Sequence, residues 1–507
     1  MLNALRSKAM CLESQLPGIP LLIFLAAVYS LLRILKLYFP PPGNYPKRIP
    51  QLRGFSIINA VSFLNKRYSF LQLNQEMIGQ DLYMFKAFQQ KAVVLSGEQG
   101  RRAFFGEKGL HFELGQQSQN GPVPGGDVIR KLDEMDIQLV SIMNKQLLKI
   151  FHKDRLANAI PILVHNINRH MEAWGTAGKM DPFKDIYSIV VQMAICLSTC
   201  EELASNLRTV QHLGNLYLQQ VTSITPMTLL FPWFPCSAKK QKERSAKGLY
   251  NILSHYVDLR REAKTPNLNP FDVLIADSDT NTAIVRFALF VMIVGVFNTT
   301  MISCWALIYL GGNNEWRNKV VAEVQNLIAT YSNASRSKPI YQCFSTILLS
   351  AWEENMPIAD VVIRETICLI KNGPALRYNL ADNFQIGGNM IDKDTFVLYR
   401  REDVHLNVMC YSDPLTFDLS QFCAPREEDK QGNLLFLGWG ASHHICTGTK
   451  TAKLKIKMLL ALMLSSYEYQ LVDGSSKPLK EPPQPNRDDT YESRRICEPC
   501  FFQYRNV

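Results

Sequence analysis

Charge is scarce in this chain. Asp, Glu, Lys and Arg make up 20% of its 507 residues, against 47% hydrophobic. That excludes a disordered, collagen-like or coiled-coil protein. Long apolar runs are scarcer still: there are two, and the mean hydropathy is −0.07, which excludes a polytopic transporter. The 12 cysteines are scattered, without the density of a disulfide scaffold. They read as reduced thiols, most of them small buried hydrophobes. Internal repeats and low-complexity tracts are absent. Net positive charge is nearly absent from the body of the chain. Residues 1–60 hold seven Lys/Arg against Glu13, which is +6 of the net +10, so the other 447 residues carry only +4. A nucleic-acid binder spreads its basic stripe over the folded body. Nucleic acid is therefore not an expected partner, and a basic segment beside an apolar run points to a membrane surface.

What is present begins with that apolar run. Ser14 to Leu32 carries no charge over 19 residues, long enough to span a bilayer. Two basic residues precede it (Arg6, Lys8) and five follow (Arg33, Lys36, Lys47, Arg48, Arg53). The bias places the C-terminal side in the cytosol. Leu31-Leu32-Arg33 offers no small-residue cleavage site, so an uncleaved anchor is expected rather than a secretory signal. The expected organisation is a lumenal N-terminus over 1–13, an anchor over 14–38, a stiff proline-rich hinge over 39–50 and one folded domain over 51–507.

The second apolar run, Phe287 to Leu310, is polar only at Asn298, Thr299, Thr300 and Ser303, with Gly295 just before them. It reads as a buried core helix whose polar group faces a cavity. Helical periodicity covers 127–174, 203–222, 238–263, 315–332 and 357–370. Strand-like alternation is confined to 92–95, 384–386, 395–398 and 467–472. The expected fold is mainly α, a large single helical domain with small β-sheets behind an N-terminal transmembrane helix.

The most informative stretch is Phe436-Leu-Gly-Trp-Gly-Ala-Ser-His-His-Ile-Cys446-Thr-Gly448, followed by a long helical pattern. A cysteine held at such a turn, beside free N–H groups at a helix start, is poised as a thiolate metal ligand. The loop resembles that of the cytochrome P-450 haem-thiolate family, and the resemblance extends over nearly the whole chain. Ile363-Arg-Glu365-Thr-Ile-Cys368 resembles the family's Glu-x-x-Arg helix. Gly373-Pro-Ala-Leu-Arg377 resembles the strand after it, and 412–418 the segment leading to the cysteine loop. Anchor and hinge look like those of endoplasmic-reticulum members, and short strings such as Met180-Asp-Pro-Phe look like fungal ones. Asn298-Thr299 followed by Trp305 resembles the bile-acid hydroxylase and prostacyclin synthase branch.

The resemblance implies haem b (iron protoporphyrin IX) with Cys446 as axial ligand. Arg377 and His444 would hold its propionates, Gly440 and Gly448 would shape the loop, and Asn298 and Thr299 would steer oxygen and protons. It implies a monooxygenase of the endoplasmic-reticulum membrane, its catalytic domain cytosolic, monomeric, taking electrons from an NADPH-cytochrome reductase and acting on an apolar small molecule such as a sterol, lipid or secondary metabolite. The sequence departs from the family at its Glu-Arg-Arg triad. Glu365 stands, Cys368 replaces the first arginine and Gln421 the second, so Glu365 is solvated or protonated unless Arg364 or Lys371 turns in. Phe297 stands at the family's acid and Asn298 at its threonine; Ser442, His443 and Thr447 depart within the loop. These departures open two other readings on the same fold: a haem-poor, membrane-tethered binding protein, and an oxygen-independent haem isomerase.

Four features leave their own alternatives. His443, His444 and Cys446, with Cys497-Glu-Pro-Cys500, have spacings that a zinc site also uses. Trp233-Phe-Pro is core or a membrane-dipping loop. Lys239, Lys240, Lys242 and Arg244 form a solvated helix face or a docking site for an acidic reductase. Asn333-Ala-Ser is a formal glycosylation acceptor, unused on the cytosolic side.

Overall fold

A computed structural model describes residues 49–112, 114–115, 137–263, 269–277, 280–332, 338–489 and 496–507. The anchor, nearly all of the hinge, and Asn333 lie outside the described residues.

Helices dominate, and the small sheets sit at the margins. A five-stranded sheet runs in the order β1-β2-β8-β5-β3, built from Leu82–Ala87 (β1), Gln90–Leu95 (β2), Leu110–His111 (β3), Ala375–Asn379 (β5) and Thr395–Tyr399 (β8). β2 and β8 pair in parallel, Ala92 opposite Phe396, and β5 runs antiparallel to β8. A three-stranded sheet, β4-β10-β9, joins Ala177–Met180 (β4), Tyr467–Val472 (β9) and Phe501–Asn506 (β10). A hairpin of Phe384–Ile386 (β6) and Asn389–Ile391 (β7) completes the β-structure described.

The expected helix over 127–174 is two helices where it is described, Ile137–Ile150 and Lys153–Trp174. His152 adopts an extended conformation between them and starts the second as its N-cap. The expected helices over 238–263, 315–332 and 357–370 are present within a residue at each end. The one expected over 203–222 starts four residues late, at Leu207, after a separate short helix, Glu201–Ser205. Strands 92–95, 384–386, 395–398 and 467–472 are all present.

The second apolar run is the centre of the domain. It spans Asn281–Gly295 and Phe297–Gly312, separated at Val296. This is the one helical stretch among the described residues that is apolar and long enough to cross a membrane, and 67% of its most apolar window is buried within the protein. Its second half packs against the helices Pro182–Ser198, Pro357–Ile370 and Thr449–Ser466. Thr299, Thr300 and Ser303 are buried with it. Trp305 is fully buried and meets Phe183 edge-on at 5.9 Å. A Phe or Trp buried in this way is worth about 3–5 kcal/mol against truncation to Ala.

The cysteines depart in part from expectation. The 11 described are free thiols, but five are buried, four intermediate and two, Cys446 and Cys497, exposed. Trp233 is 73% exposed; bracketed by prolines, it cannot fold back into the helical core and is not a core residue. In the basic helix that follows, Lys239 donates to Pro232 O (2.8 Å). Lys242 is buried rather than solvated, because it falls on the helix face that carries Ser245, Ala246 and Leu249 inward.

Candidate functional site

The cysteine loop is held by its backbone. Cys446 N donates to Trp439 O (2.8 Å), and His444 N to Ala441 O (3.1 Å). Gly440 has φ +75°, and a Cβ there would lie 2.1 Å from His444 O. Only glycine meets both conditions. Ser442 also takes a left-handed φ, 53°, at the position where the family pattern has glycine, so its side chain is tolerated at some cost in strain. The helix Thr449–Ser466 starts three residues after Cys446, and Cys446 O accepts from Thr449 Oγ1 (2.8 Å). Gly448 faces the thiol: a Cβ there would stand 3.9 Å from Cys446 Sγ. The thiol itself is exposed.

His405, a residue the sequence did not single out, pins the start of this loop. It is buried, accepts from Leu437 N through Nε2 (3.0 Å), and stacks on Phe436 at 5.9 Å. Burial, with Arg401 nearby, pushes its pKa down to about 3, so the ring is neutral and free to accept. The Arg364 guanidinium covers Phe436 at 4.5 Å. No motif marked His405; the only signal was a histidine among apolar residues.

Arg377 and His444, expected to act together, come to one place. Phe112 lies between them, its ring 5.7 Å from that of His444 and 4.6 Å from the Arg377 guanidinium. Arg377 is buried at the middle of β5.

Within residues 281–311 of the central helix only Ile293, Val294 and Asn298 are exposed. Val294 and Asn298 are four residues apart, on either side of the break at Val296, and Ile293 adjoins Val294. Asn298 Nδ2 donates to Val294 O (3.2 Å) and its Oδ1 accepts from Lys371 Nζ (2.6 Å). Lys455 reaches across from the helix after Cys446 and donates to Gly295 O (3.2 Å) at the break. Burial lowers the Lys455 pKa to about 8. Thr299, by contrast, is buried and does not share the exposed face.

The triad remnant takes a form the sequence left open. Glu365 is fully buried and accepts from Asp418 N (3.1 Å) and from the Gln421 side-chain amide. Neither Arg364 nor Lys371 turns toward it: Arg364 pairs with Asp429 (2.9 Å), and Lys371 with Asn298. Arg426 is displaced one step outward, bridging Asp418 (2.5 Å) and Glu428 (2.9 Å). Burial pushes the Glu365 pKa up to about 8, only partly offset by its two hydrogen bonds. The nearby charge of Arg426 also holds it down, but burial dominates and favours the protonated carboxyl over solvation. Cys368 is buried beside it, its thiol driven well above the ordinary range by burial. Gln421 Oε1 has no hydrogen-bond partner among the described residues.

These residues fit a haem. An exposed thiol at a glycine-shaped turn suits the iron, an arginine and a histidine around one aromatic ring suit two propionates, and the exposed residues of an apolar helix suit the porphyrin plane. They fit zinc poorly, since among the described residues no three His, Cys, Asp or Glu side chains are grouped to hold a metal ion.

Comparison with known proteins agrees. The family profile described as Cytochrome P450 matches residues 50–488. The chain is 25% identical over 405 residues to cytochrome P450 monooxygenase nsrP of Aspergillus novofumigatus, covering 78% of each chain. It is 27% identical over 349 residues to cytochrome P450 monooxygenase AacuE of Aspergillus aculeatus, covering 67% and 69%. A retinoic-acid-bound cyanobacterial CYP120A1 structure has the same fold, with a TM-score of 0.69 at 17% identity over 91% of this chain and 100% of that one.

Proposed function

The chain belongs to the cytochrome P450 family, whose cofactor is haem b, and we propose that it is a membrane-anchored monooxygenase acting on an apolar small molecule with electrons from an NADPH-cytochrome reductase. The observation that carries the reading is the exposed Cys446 thiol at a loop that Gly440 alone can close. Haem, when bound, supplies the oxygen-activating iron chemistry. Every other role belongs to the chain. Cys446, as thiolate, would ligate the iron. Arg377 and His444 would hold the propionates by hydrogen bonds. Gly440 and Gly448 give the loop its shape and the thiol its room. Ile293 and Val294 present an apolar wall that excludes water, and Asn298 donates a hydrogen bond from that wall. An amide donates but does not readily lose a proton near neutral pH, so Asn298 would orient and a water, rather than the buried Thr299, would carry the proton.

The anchor over 14–38 places the domain over 51–507 on the cytosolic face of the endoplasmic reticulum, with 1–13 in the lumen. Exposed apolar side chains support a membrane-facing edge: Phe55, Ile57, Ile58 and Val61 just after the hinge, with Met227, Trp233 and Phe234. Phe88 links the two groups through Phe231, ring to ring at 5.9 Å.

A haem-poor binding protein is the second reading, favoured by the absence of a guanidinium on Glu365. The reduced, carbon-monoxide spectrum of the purified full chain separates the two. A thiolate-type band that disappears in Cys446→Ser supports the enzyme; no haem in the parent protein supports the binding protein. Product formation that needs no reductase would favour an isomerase.

A further inference from the structure

The exposed face of the central helix is apolar except at Asn298, and a lysine sets the direction of that amide. Lys371 follows the last turn of the helix Pro357–Ile370, where an ammonium complements the helix's negative end. Its side chain crosses to the central helix and donates to Asn298 Oδ1 at 2.6 Å, while Asn298 Nδ2 donates to Val294 O at 3.2 Å. The acceptor end of the amide is therefore taken by an ammonium. A carboxamide has two N–H donors, and the helix carbonyl uses one. What Asn298 presents toward the open side is an N–H, polarised by the charge behind it. Lys371 is 7% exposed, so its charge acts in a poorly screened setting, where electrostatic preferences are largest. Donor geometry and positive charge make the same selection: an acceptor oxygen over a donor, and an anion over a neutral group or a cation. Val294, exposed and hydrogen-bonded through its carbonyl to Asn298, favours an apolar body around that oxygen.

We propose that the Lys371–Asn298 pair is the polar anchor for the substrate, binding a carboxylate on an otherwise apolar molecule. The proposal rests on the monooxygenase reading and narrows its substrate class from apolar molecules to apolar acids. Asn298 touches the ligand; Lys371 is a positioning residue that acts partly through Asn298 and partly through its charge.

The test is calorimetric titration of the purified full chain with 4-phenylbutanoate and its methyl ester, two soluble probes that differ in charge. Haem content and the carbon-monoxide band are recorded on the same samples. The parent is expected to bind the acid at least about tenfold more tightly than the ester, a preference of the size one charge-assisted contact supplies. Lys371→Met should bring the two within about twofold, Lys371→Arg should keep most of the preference, and Asn298→Asp should reverse it by like-charge repulsion. Should Lys371→Met fail to fold, Lys371→Gln, which keeps a donor to Asn298 Oδ1 but no charge, carries the same expectation. Equal affinity in the parent, or an undiminished preference in a folded Lys371→Met or Lys371→Gln protein, overturns the proposal. So does loss of haem in Lys371→Met with the acid preference intact, which assigns the ammonium to the cofactor. A parent without haem that still prefers the acid overturns the monooxygenase reading and leaves the anchor standing.

Discussion

Replacing Glu365 by Gln should make the protein more stable at pH 8 than at pH 5, relative to the parent. Glu365 is fully buried, and its partners are a backbone N–H and a neutral amide. Burial raises its pKa from 4.5 to about 8, so between those values the folded protein holds a proton that the unfolded chain has released. Stability from this group is fully present below pH 4.5 and is lost as pH rises toward 8, the reverse of a salt-bridged carboxylate. At about 1.4 kcal/mol per pH unit, the full span is about 5 kcal/mol, an upper figure because water reaching the site would reduce it. Gln is neutral at every pH and nearly the same shape, so the difference between variant and parent isolates Glu365 from all other titrating groups. Urea unfolding of both proteins at pH 5, 6, 7 and 8 measures it. The parent should lose ground to Glu365→Gln with each step, by at least about 2 kcal/mol in total. A difference constant within about 0.5 kcal/mol, or one that grows as pH falls, would mean that Glu365 stays ionised and that another cation has taken over the triad's role.

His405 gives the opposite slope. Its pKa is lowered from 6.5 to about 3, so its contribution is present above pH 6.5 and lost as pH falls toward 3, and His405→Asn should flatten that acid limb in the same unfolding assay. Cys368→Arg with Gln421→Arg should be non-additive by about 0.5–3 kcal/mol in a double-mutant cycle on unfolding free energy and haem content; strict additivity would show that the two sites do not share Glu365. Deleting residues 1–38 should release a folded and more soluble domain, checked by circular dichroism and membrane pelleting. If the truncated chain still pellets after a salt wash, the exposed Trp233 edge holds the membrane by itself. Asn298→Ala should raise peroxide release per electron consumed, measured against the parent with the reductase present; unchanged values would make Asn298 a packing residue.

How much of this was legible in the sequence follows from how local each cause is. The helix 357–370 and the strands 384–386 and 467–472 were readable because hydrophobic period and end signals coincide in a few residues. The cysteine loop was readable because one glycine with forced geometry stands six residues before one thiol. β1, β4 and β10 were missed because their alternation is short and partners distant in sequence select them: Phe502 of β10 pairs with Met180. Trp233 was left between core and surface because an apolar dipeptide between prolines says nothing about what lies beside it. The buried fate of Lys242 was hidden for a similar reason, since the helix around it is mostly charged.

The departures from the family pattern show the deeper limit. Sequence identified which guanidinium groups were missing around Glu365, but not what the fold would do about them. Two cations stood near in sequence, Arg364 and Lys371, and each went elsewhere: one to Asp429 and the Phe436 ring, the other to Asn298. Once both are committed, only the more distant charge of Arg426 opposes the cost of burying Glu365, and burial pushes its pKa up. Lys371 is held by the central helix through Asn298, and Glu365 is left with a backbone N–H and a neutral amide as its hydrogen-bond partners. A substitution that draws Lys371 back toward Glu365 should therefore ionise the one and weaken the anchor at the other, and the two effects should appear together.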